Sequence, residues 1–248
     1  MHNSILKDIN LSYNSYNEII FSDNECKILC EKTFIDEPLL NKYSNMNSII
    51  IARKIALSWI AYNNIAIEDV VISVKSIYFS EQEYNNLDIT GYKISHEILK
   101  KRKDKVDEIK ISILKNIKDE SDKIEFIFCF ISQGLTRFVR AGRNYSNYLE
   151  ESIENEEGYY EDRNIYVPGE LDRIVDKVRV DHIPAITLLK ISDDFIKNKI
   201  KNLQKIKTLY ASFYKYTDPR KKLNINFNNQ NELIFNQDNT LVAKVKIL

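Results

Sequence analysis

Glycine and proline are scarce in this 248-residue chain, which contains five glycines and four prolines. So few glycines disfavour nucleotide-binding folds built on glycine-rich loops, because those loops need backbone that approaches phosphates closely. An excess of one charge is also missing, since 36 lysines and arginines balance 36 aspartates and glutamates. A neutral chain lacks the basic excess that displaces counterions from phosphates, so we expect no nucleic-acid partner.

Long apolar runs and an export signal are absent as well. No run reaches the roughly 18–20 apolar residues that cross a bilayer, and the first 20 residues lack the basic and apolar regions of a signal peptide. Cys26, Cys30 and Cys129 are an odd number of cysteines, which predicts reduced thiols. Cys26 and Cys30, with His96 far along the chain, fall short of four metal ligands. We expect a cytoplasmic protein with no membrane partner, no metal and no cofactor of its own.

Apolar periodicity predicts the same order of elements twice. A 3–4 spacing predicts helices over 45–62 and 184–200, the first ended by Asn63 and Asn64 and the second with Pro184 in its first turn. Alternation predicts strands at 17–21, 70–80, 108–117 and 123–132, and again at 163–167, 205–216, 221–228, 231–236 and 240–248. Asparagine-rich turns are expected at 228–232 and 236–240, and the charged stretch 81–107 is interpreted as a solvated excursion.

One helix followed by antiparallel strands buries its apolar side chains when the sheet wraps around it. The sequence therefore predicts an α+β fold, a tandem double hotdog in which each module is an antiparallel sheet around one central helix. We expect modules at 1–135 and 163–248 and a connector at 136–162. Side-by-side joining of the two sheets would cover an open edge in each module. Homo-oligomerisation stays open.

DHIPAITLLK at 181–190 is similar to the pattern D-H-x-P-G-M-x-L-x-E. Five further stretches are LSYNSYNEIIFSD at 11–23, ARKIALSWIA at 52–61, SQGLTRFVRAGR at 132–143, EDRNIYV at 161–167, and LYASFYKYTDPRKKLNINF at 209–227 with NQDNTLVAKVKIL after it. In these segments and in their order along the chain, the sequence resembles the A-factor biosynthesis hotdog family of butyrolactone and butenolide signal synthases. The resemblance covers nearly the whole chain.

The resemblance implies an activity on acyl thioesters. Family members transfer a β-ketoacyl group from acyl carrier protein to dihydroxyacetone phosphate, which forms a butenolide or γ-butyrolactone precursor. The implied partner is acyl carrier protein or acyl-CoA, with phosphopantetheine carried by the substrate. Two positions depart from the pattern, because Ala185 replaces its glycine and Lys190 its glutamate. A catalytically degenerate protein that binds acyl thioesters, or a structural one, is therefore the alternative. A hotdog dehydratase or thioesterase is a weaker one, since it too needs a helix carboxylate.

The candidate catalytic residues are His182 and Asp181, which precede the second predicted helix. An imidazole beside a carboxylate suits acid–base work, although His182 could equally satisfy a loop carbonyl. Asp181 could orient His182 or cap the helix. Pro184 and Ala185 open the helix, whose N-terminal N–H groups could polarise a thioester carbonyl.

Candidate substrate-binding residues carry positive charge. Lys190 could hold a phosphate, although an exposed helix lysine is the favoured interpretation. Arg53 lies in the apolar first helix, so it must bind a ligand or extend to solvent. Asp193 and Asp194 are the nearest acids to the missing glutamate, with a solvated helix face as the simpler interpretation.

The predicted connector carries a basic trio of arginines, Arg137, Arg140 and Arg143. An acidic run follows directly, which favours an intramolecular strap. A basic and aromatic patch for single-stranded nucleic acid and contact with acyl carrier protein are the alternatives.

Overall fold

The computed structural model describes residues 19–22, 25–28, 44–65, 70–80, 91–116, 119–136, 153–175, 178–199 and 207–248. The chain divides into two compact units, residues 1–135 and 136–248. Cys30 and the arginines 137, 140 and 143, with the roles suggested for them, lie outside the described residues.

The first unit combines one long helix with six strands. Its elements are β1 (Ile19–Ser22), β2 (Glu25–Ile28), α1 (Ser44–Tyr62), β3 (Val70–Ser80), β4 (Gly91–Arg102), β5 (Lys105–Asn116) and β6 (Asp119–Ser132). Every neighbouring pair is antiparallel, in the order β1-β2-β4-β5-β6-β3. The predicted helix at 45–62 and strand at 70–80 are confirmed, because their periodicities of 3.6 and 2 residues are unambiguous.

Helix α1 is the centre of the first core. It lies against β5 and β6, and Ile49, Ile55 and Ile60 have no exposed surface. Full burial of such side chains stabilises the fold by roughly 1.5–3 kcal/mol each. The helix ends as predicted at its two asparagines, where Asn64 adopts a left-handed φ of 52°. The N–H of Ile65 donates to the Ile60 carbonyl at 3.1 Å and closes the last turn.

Alternation in β5 places isoleucines on the buried face of the sheet. Ile109 and Ile111 are fully buried and Ile113 nearly so. On the other face Lys110 pairs with Glu97 across the β4–β5 ladder at 2.7 Å. Period-2 patterning thus separates the core face from the charged face.

The charged stretch 81–107 differs from the expectation of a solvated excursion. Residues 91–102 form β4, and the hairpin to β5 turns at Lys103, whose φ is 56°. Its side chains from Ser95 to Lys105 are exposed, so their charges are compatible with a strand whose backbone pairs with β5. Charge patterning alone indicated solvation and missed the backbone pairing.

The second unit has the same sheet order. Its elements are β7 (Tyr159–Asp162), β8 (Ile165–Val167), a 3-10 helix (Glu170–Arg173), β9 (Ile174–Val175), β10 (Val178–Arg179), α2 (Ala185–Lys199), β11 (Thr208–Phe213), β12 (Leu223–Phe227), β13 (Glu232–Gln237) and β14 (Thr240–Ile247). The antiparallel order is β7-β8-β12-β13-β14-β11, and β9 pairs with β10 separately. In each unit a hairpin precedes the helix and then lies beside the second of the four strands that follow it.

Two details of the second unit refine the sequence predictions. Strand β7 lies at the end of the predicted connector, because Tyr160 and Tyr166 pack their rings at 5.1 Å across the β7–β8 hairpin. The asparagine-rich turns form as expected, with positive φ at Asn231, Asp238 and Asn239. Short polar side chains tolerate that conformation, which matches the twist of a two-residue hairpin.

The core of the second unit lies between α2 and its sheet. Helix α2 contacts β14, and Leu189 and Ile196 are each 1% exposed. Opposite them, Leu233, Phe235 and Val245 have no exposed surface. Neither α1 nor α2, within the described ranges, combines the length and hydropathy that a bilayer span requires.

Candidate functional site

His182 and Asp181 form a hydrogen-bonded pair just before α2. The distance from His182 Nδ1 to Asp181 Oδ1 is 2.8 Å. An ionised carboxylate only accepts hydrogen bonds, so Nδ1 carries the proton in this contact and a neutral imidazole keeps its lone pair on Nε2. The side chains are 25% and 11% exposed respectively. The pair can therefore accept a proton at Nε2 while Asp181 stabilises the resulting imidazolium.

The imidazole is held by a residue from the second half of the unit. The rings of His182 and Tyr216 meet edge to face, with centroids 4.8 Å apart and an interplanar angle of 73°. The next residue along, Ile183, forms an isolated antiparallel bridge with Thr217, in which the Ile183 N–H donates to the Thr217 carbonyl at 2.9 Å. The segment that precedes α2 is thereby fixed to the segment that follows β11.

Helix α2 begins at Ala185, three residues after His182. The Leu188 N–H donates to the Pro184 carbonyl at 3.1 Å, the first bond of the helix. The N–H groups of Ala185, Ile186 and Thr187 therefore have no intrahelical acceptor. Pro184 is buried and Ala185 is partly exposed. The helix terminus offers backbone donors and the positive end of the dipole, which can stabilise a developing oxyanion.

Lys190 does not have the exposed position that the sequence favoured. It is 8% exposed, and its charge lowers the pKa of Asp172, although burial acts more strongly and leaves that pKa raised overall. Tyr166 Oη donates to Asp172 Oδ2 at 2.8 Å, and the Gly169 N–H donates to the same oxygen at 2.9 Å. We call Asp172, Tyr166, Tyr160 and Lys190 the buried polar cluster. A helix lysine stays inside because this cluster supplies an acidic neighbour.

Burial also determines the direction of the pKa shifts of the two tyrosines in the buried polar cluster. It raises the pKa of both Tyr160 and Tyr166, with the charges of Asp172 and Asp194 acting in the same direction. Tyr160 Oη also donates to the Ile191 carbonyl of α2 at 3.1 Å. Both phenols therefore stay protonated and act as hydrogen-bond donors.

The acids predicted to lie on a solvated face of α2 are not equivalent. Asp193 is 3% exposed and accepts from Lys197 one turn later at 2.5 Å. Burial raises its pKa, against the opposing effect of Lys197. The prediction of a solvated face is wrong for Asp193, because α2 is buried on most of its surface.

Arg53 lies in α1, in the first unit, and is partly exposed, whereas its neighbour Lys54 is 8% exposed. The other five candidate residues belong to the second unit.

A ring cluster of Phe21, Trp59 and Tyr62 lies near the end of α1. Trp59 Nε1 donates to His96 Nδ1 at 3.2 Å.

The sequence did not predict two residues that are distant in the chain but lie near Asp181 and His182 in the structure. Tyr216 contacts the His182 ring, and Arg173 donates from Nε to the Val180 carbonyl at 3.0 Å. A charged residue at the end of an otherwise unremarkable ELDR segment gave no local signal. The described residues contain no group of three or more histidine, cysteine, aspartate or glutamate side chains placed to hold a metal ion.

Comparison with solved structures identifies similar folds. The chain is similar to a protein from Lactobacillus plantarum, provisionally an oleoyl thioesterase, with a TM-score of 0.50, 10% identity, and coverage of 88% of this chain and 90% of that one. It is also similar to the 12:0-ACP thioesterase of Umbellularia californica, with a TM-score of 0.50, 8% identity, and coverage of 81% and 87%.

No protein-family model matches the sequence, and no curated protein matches it either. Identities of this size carry information on the fold alone. The similarity in fold, together with the antiparallel sheets and few helices, is consistent with the predicted hotdog fold.

Proposed function

We propose that this chain is a tandem double hotdog protein that acts on acyl thioesters, with His182 as its proton acceptor. The observation that carries the proposal is the 2.8 Å contact between His182 Nδ1 and Asp181 Oδ1 at the start of α2. The common sheet order of the two units and the similarity to two solved structures support the fold. The choice of acyl thioesters as the substrate class rests on the sequence resemblance of residues 181–190.

The proposed reaction transfers an acyl group from sulfur to oxygen. His182 Nε2 takes the proton of an acceptor hydroxyl as its oxygen attacks the thioester carbonyl. The N–H groups of Ala185 and Ile186 stabilise the oxyanion of the tetrahedral intermediate. The C–S bond then breaks, and the thiolate leaves with the proton that His182 holds, so an ester and a free thiol are formed.

The finer proposal concerns the two substrates. The donor is a β-ketoacyl group on acyl carrier protein or on coenzyme A, and the acceptor is the hydroxyl of dihydroxyacetone phosphate. The resemblance of residues 181–190 to the signal-synthase pattern supports this choice. The acceptor is a phosphate ester, and the cationic side chain proposed to bind its phosphate is Lys190, which belongs to the same unit as His182.

A thiol-release assay tests the proposal. Purified protein is mixed with β-ketoacyl carrier protein, with and without dihydroxyacetone phosphate, and the free thiol is measured. We expect release that depends on the acceptor, and a loss of about 100-fold or more in His182→Ala, because general-base catalysis contributes roughly 10²–10⁴. His96→Gln, which replaces an exposed imidazole in the first unit and keeps an acceptor for Trp59 Nε1, is the matched control.

Two outcomes count against acyl transfer. Thiol release at the same rate without the acceptor identifies a hydrolase instead. Absence of release with acyl carrier protein and acyl-CoA donors alike contradicts catalysis altogether.

A catalytically silent acyl-thioester-binding protein is the second candidate. The observation in its favour is Lys190, which is 8% exposed and occupies the position where the resembling family has a glutamate. This candidate predicts a rise in melting temperature with acyl-phosphopantetheine and no thiol release. Unchanged melting with acyl chains of several lengths would eliminate it.

A further inference from the structure

Arg173 is a fully buried cation that the proposed reaction does not use. It is 1% exposed and is one of the largest fully buried side chains of the described residues. Transfer of a guanidinium out of water is strongly unfavourable, and buried ion pairs often add no net stability. A contribution to stability therefore does not by itself explain a charged side chain at this position.

Two hydrogen bonds join Arg173 to Val180, the residue just before the histidine–aspartate pair. Its Nε donates to the Val180 carbonyl at 3.0 Å, and the Val180 N–H donates back to the Arg173 carbonyl at 2.9 Å. Its Nη1 lies 3.5 Å from Glu170 Oε2. Both the side chain and the backbone of Arg173 thus hold Val180.

The 3-10 helix that carries Arg173 is itself held by hydrogen bonds. Arg173 ends the 3-10 helix, whose Glu170 and Leu171 N–H groups donate to the carbonyls of Asn155 and Glu156 at 2.8 and 2.9 Å. Glu170 Oε2 also accepts from the Ile153 N–H at 3.2 Å. These bonds connect the 3-10 helix to the segment before β7, so the guanidinium acts from a fixed position.

Arg173 therefore controls one of the two peptide planes that flank the pair. The Val180 carbonyl belongs to the peptide unit that ends at the Asp181 nitrogen, so its hydrogen bond fixes the plane on which Asp181 is built. On the other side, the Ile183 N–H belongs to the peptide unit that follows His182, and it is bonded to Thr217. Asp181 and His182 lie between two fixed planes, one of them held by a side chain.

We propose that Arg173 is a positioning residue that sets the contact between Asp181 and His182. The use of this contact in catalysis rests on the proposed function, whereas the contact itself can be measured without any substrate. Loss of the bond to Val180 frees the peptide plane at Asp181, and the carboxylate then accepts less often from His182 Nδ1. The neutral imidazole shifts toward the tautomer that carries its proton on Nε2.

The test is nitrogen NMR of the imidazoles in protein labelled with ¹⁵N-histidine. The chain has three histidines, so His182→Gln identifies the signals of His182, and His2 and His96 serve as internal references. In Arg173→Met, which keeps an apolar stem without the guanidinium, we expect the ratio of Nδ1–H to Nε2–H tautomer to fall about fivefold, the size of one lost hydrogen bond. Arg102→Met, at an arginine side chain that is 78% exposed, should leave the ratio unchanged.

Two milder variants keep the proposal falsifiable if Arg173→Met does not fold. Arg173→Lys keeps the buried charge but loses the Nε–H donor, and Glu170→Gln removes the ion partner, whose side chain is 24% exposed. Both variants should fold and should lower the ratio of Nδ1–H to Nε2–H tautomer. The decrease should be smaller in Glu170→Gln than in Arg173→Lys. An unchanged His182 spectrum in folded Arg173→Lys overturns the proposal, because a purely structural arginine would change only the melting temperature.

Kinetics separate this inference from the proposed function. If the wild-type protein releases thiol, Arg173→Lys should lower kcat with little change in KM, since only the alignment of the proton acceptor is altered. If the wild-type protein releases no thiol, the proposed function fails, yet the imidazole spectra still decide the role of Arg173.

Discussion

Replacement of Gln237 tests how the region around His182 is held together. Gln237 is the last residue of β13 and is 5% exposed. Its Nε2 donates to the carbonyls of Asp218 and Lys221 at 2.7 and 2.9 Å, and its Oε1 accepts from the Asp218 N–H at 2.8 Å. One amide thus fixes the turn that directly follows Tyr216 and Thr217, the two residues that contact the His182 segment.

The expected loss follows from these three bonds. Gln237→Met keeps the side-chain volume and removes all three, and a buried hydrogen bond contributes about 1 kcal/mol. We expect the free energy of unfolding to fall by about 3 kcal/mol. The measurement is urea denaturation at neutral pH, followed by circular dichroism, with the slope against urea compared between the two proteins.

A matched variant supplies the control for this prediction. Asn224→Met changes an exposed polar residue of the neighbouring strand β12, and the free energy of unfolding should change by no more than about 0.5 kcal/mol. A loss below about 1 kcal/mol in Gln237→Met at an unchanged slope would refute the reasoning, because the amide would then not be the main support of the turn.

Two further predictions concern the buried polar cluster. Burial raises the folded-state pKa of Asp172, so the wild-type protein loses stability as pH rises from 3.8, the ordinary carboxyl value, through the folded-state pKa. Denaturation is measured at a series of pH values. In this pH interval the free energy of unfolding of Asp172→Asn should rise relative to that of the wild type by at most about 1.4 kcal/mol per pH unit. A difference in free energy that does not vary with pH contradicts this prediction. Gly158→Ala would place a Cβ 2.1 Å from Tyr166 Oη and should cost about 1–3 kcal/mol. Gly134→Ala, with nothing within 4 Å, should melt like the wild type.

The proposed chemistry depends on a short motif that the sequence shows by itself. Asp181 and His182 are neighbours along the chain, so their proximity to α2 could be predicted without coordinates. Their side-chain contact could not, because adjacent side chains can also point apart. The structure provides the contact of 2.8 Å, and Tyr216 packs its ring on the imidazole from 34 positions further along the chain.

The buried charged residues of α2 show that a charge pattern in the sequence does not predict burial. A lysine and two aspartates on a helix are typical of a solvated face, and that interpretation failed for Lys190 and Asp193. Both residues are buried, since Asp172 approaches from the 3-10 helix and Lys197 from the next turn of α2. Local charge patterns do not encode which distant element covers a helix.

Sequence alone determined the elements whose signals are local in the chain. The apolar repeats of α1 and α2, the alternation of β5 and the asparagines at the hairpin turns act through neighbouring residues, so their physical effects can be recognised without coordinates. Tertiary structure alone decided that β4 pairs with β5 despite its charges, that Lys190 is buried, and that Arg173 holds Val180. Each of these depends on desolvation and on hydrogen bonds between segments that come together only when the chain folds.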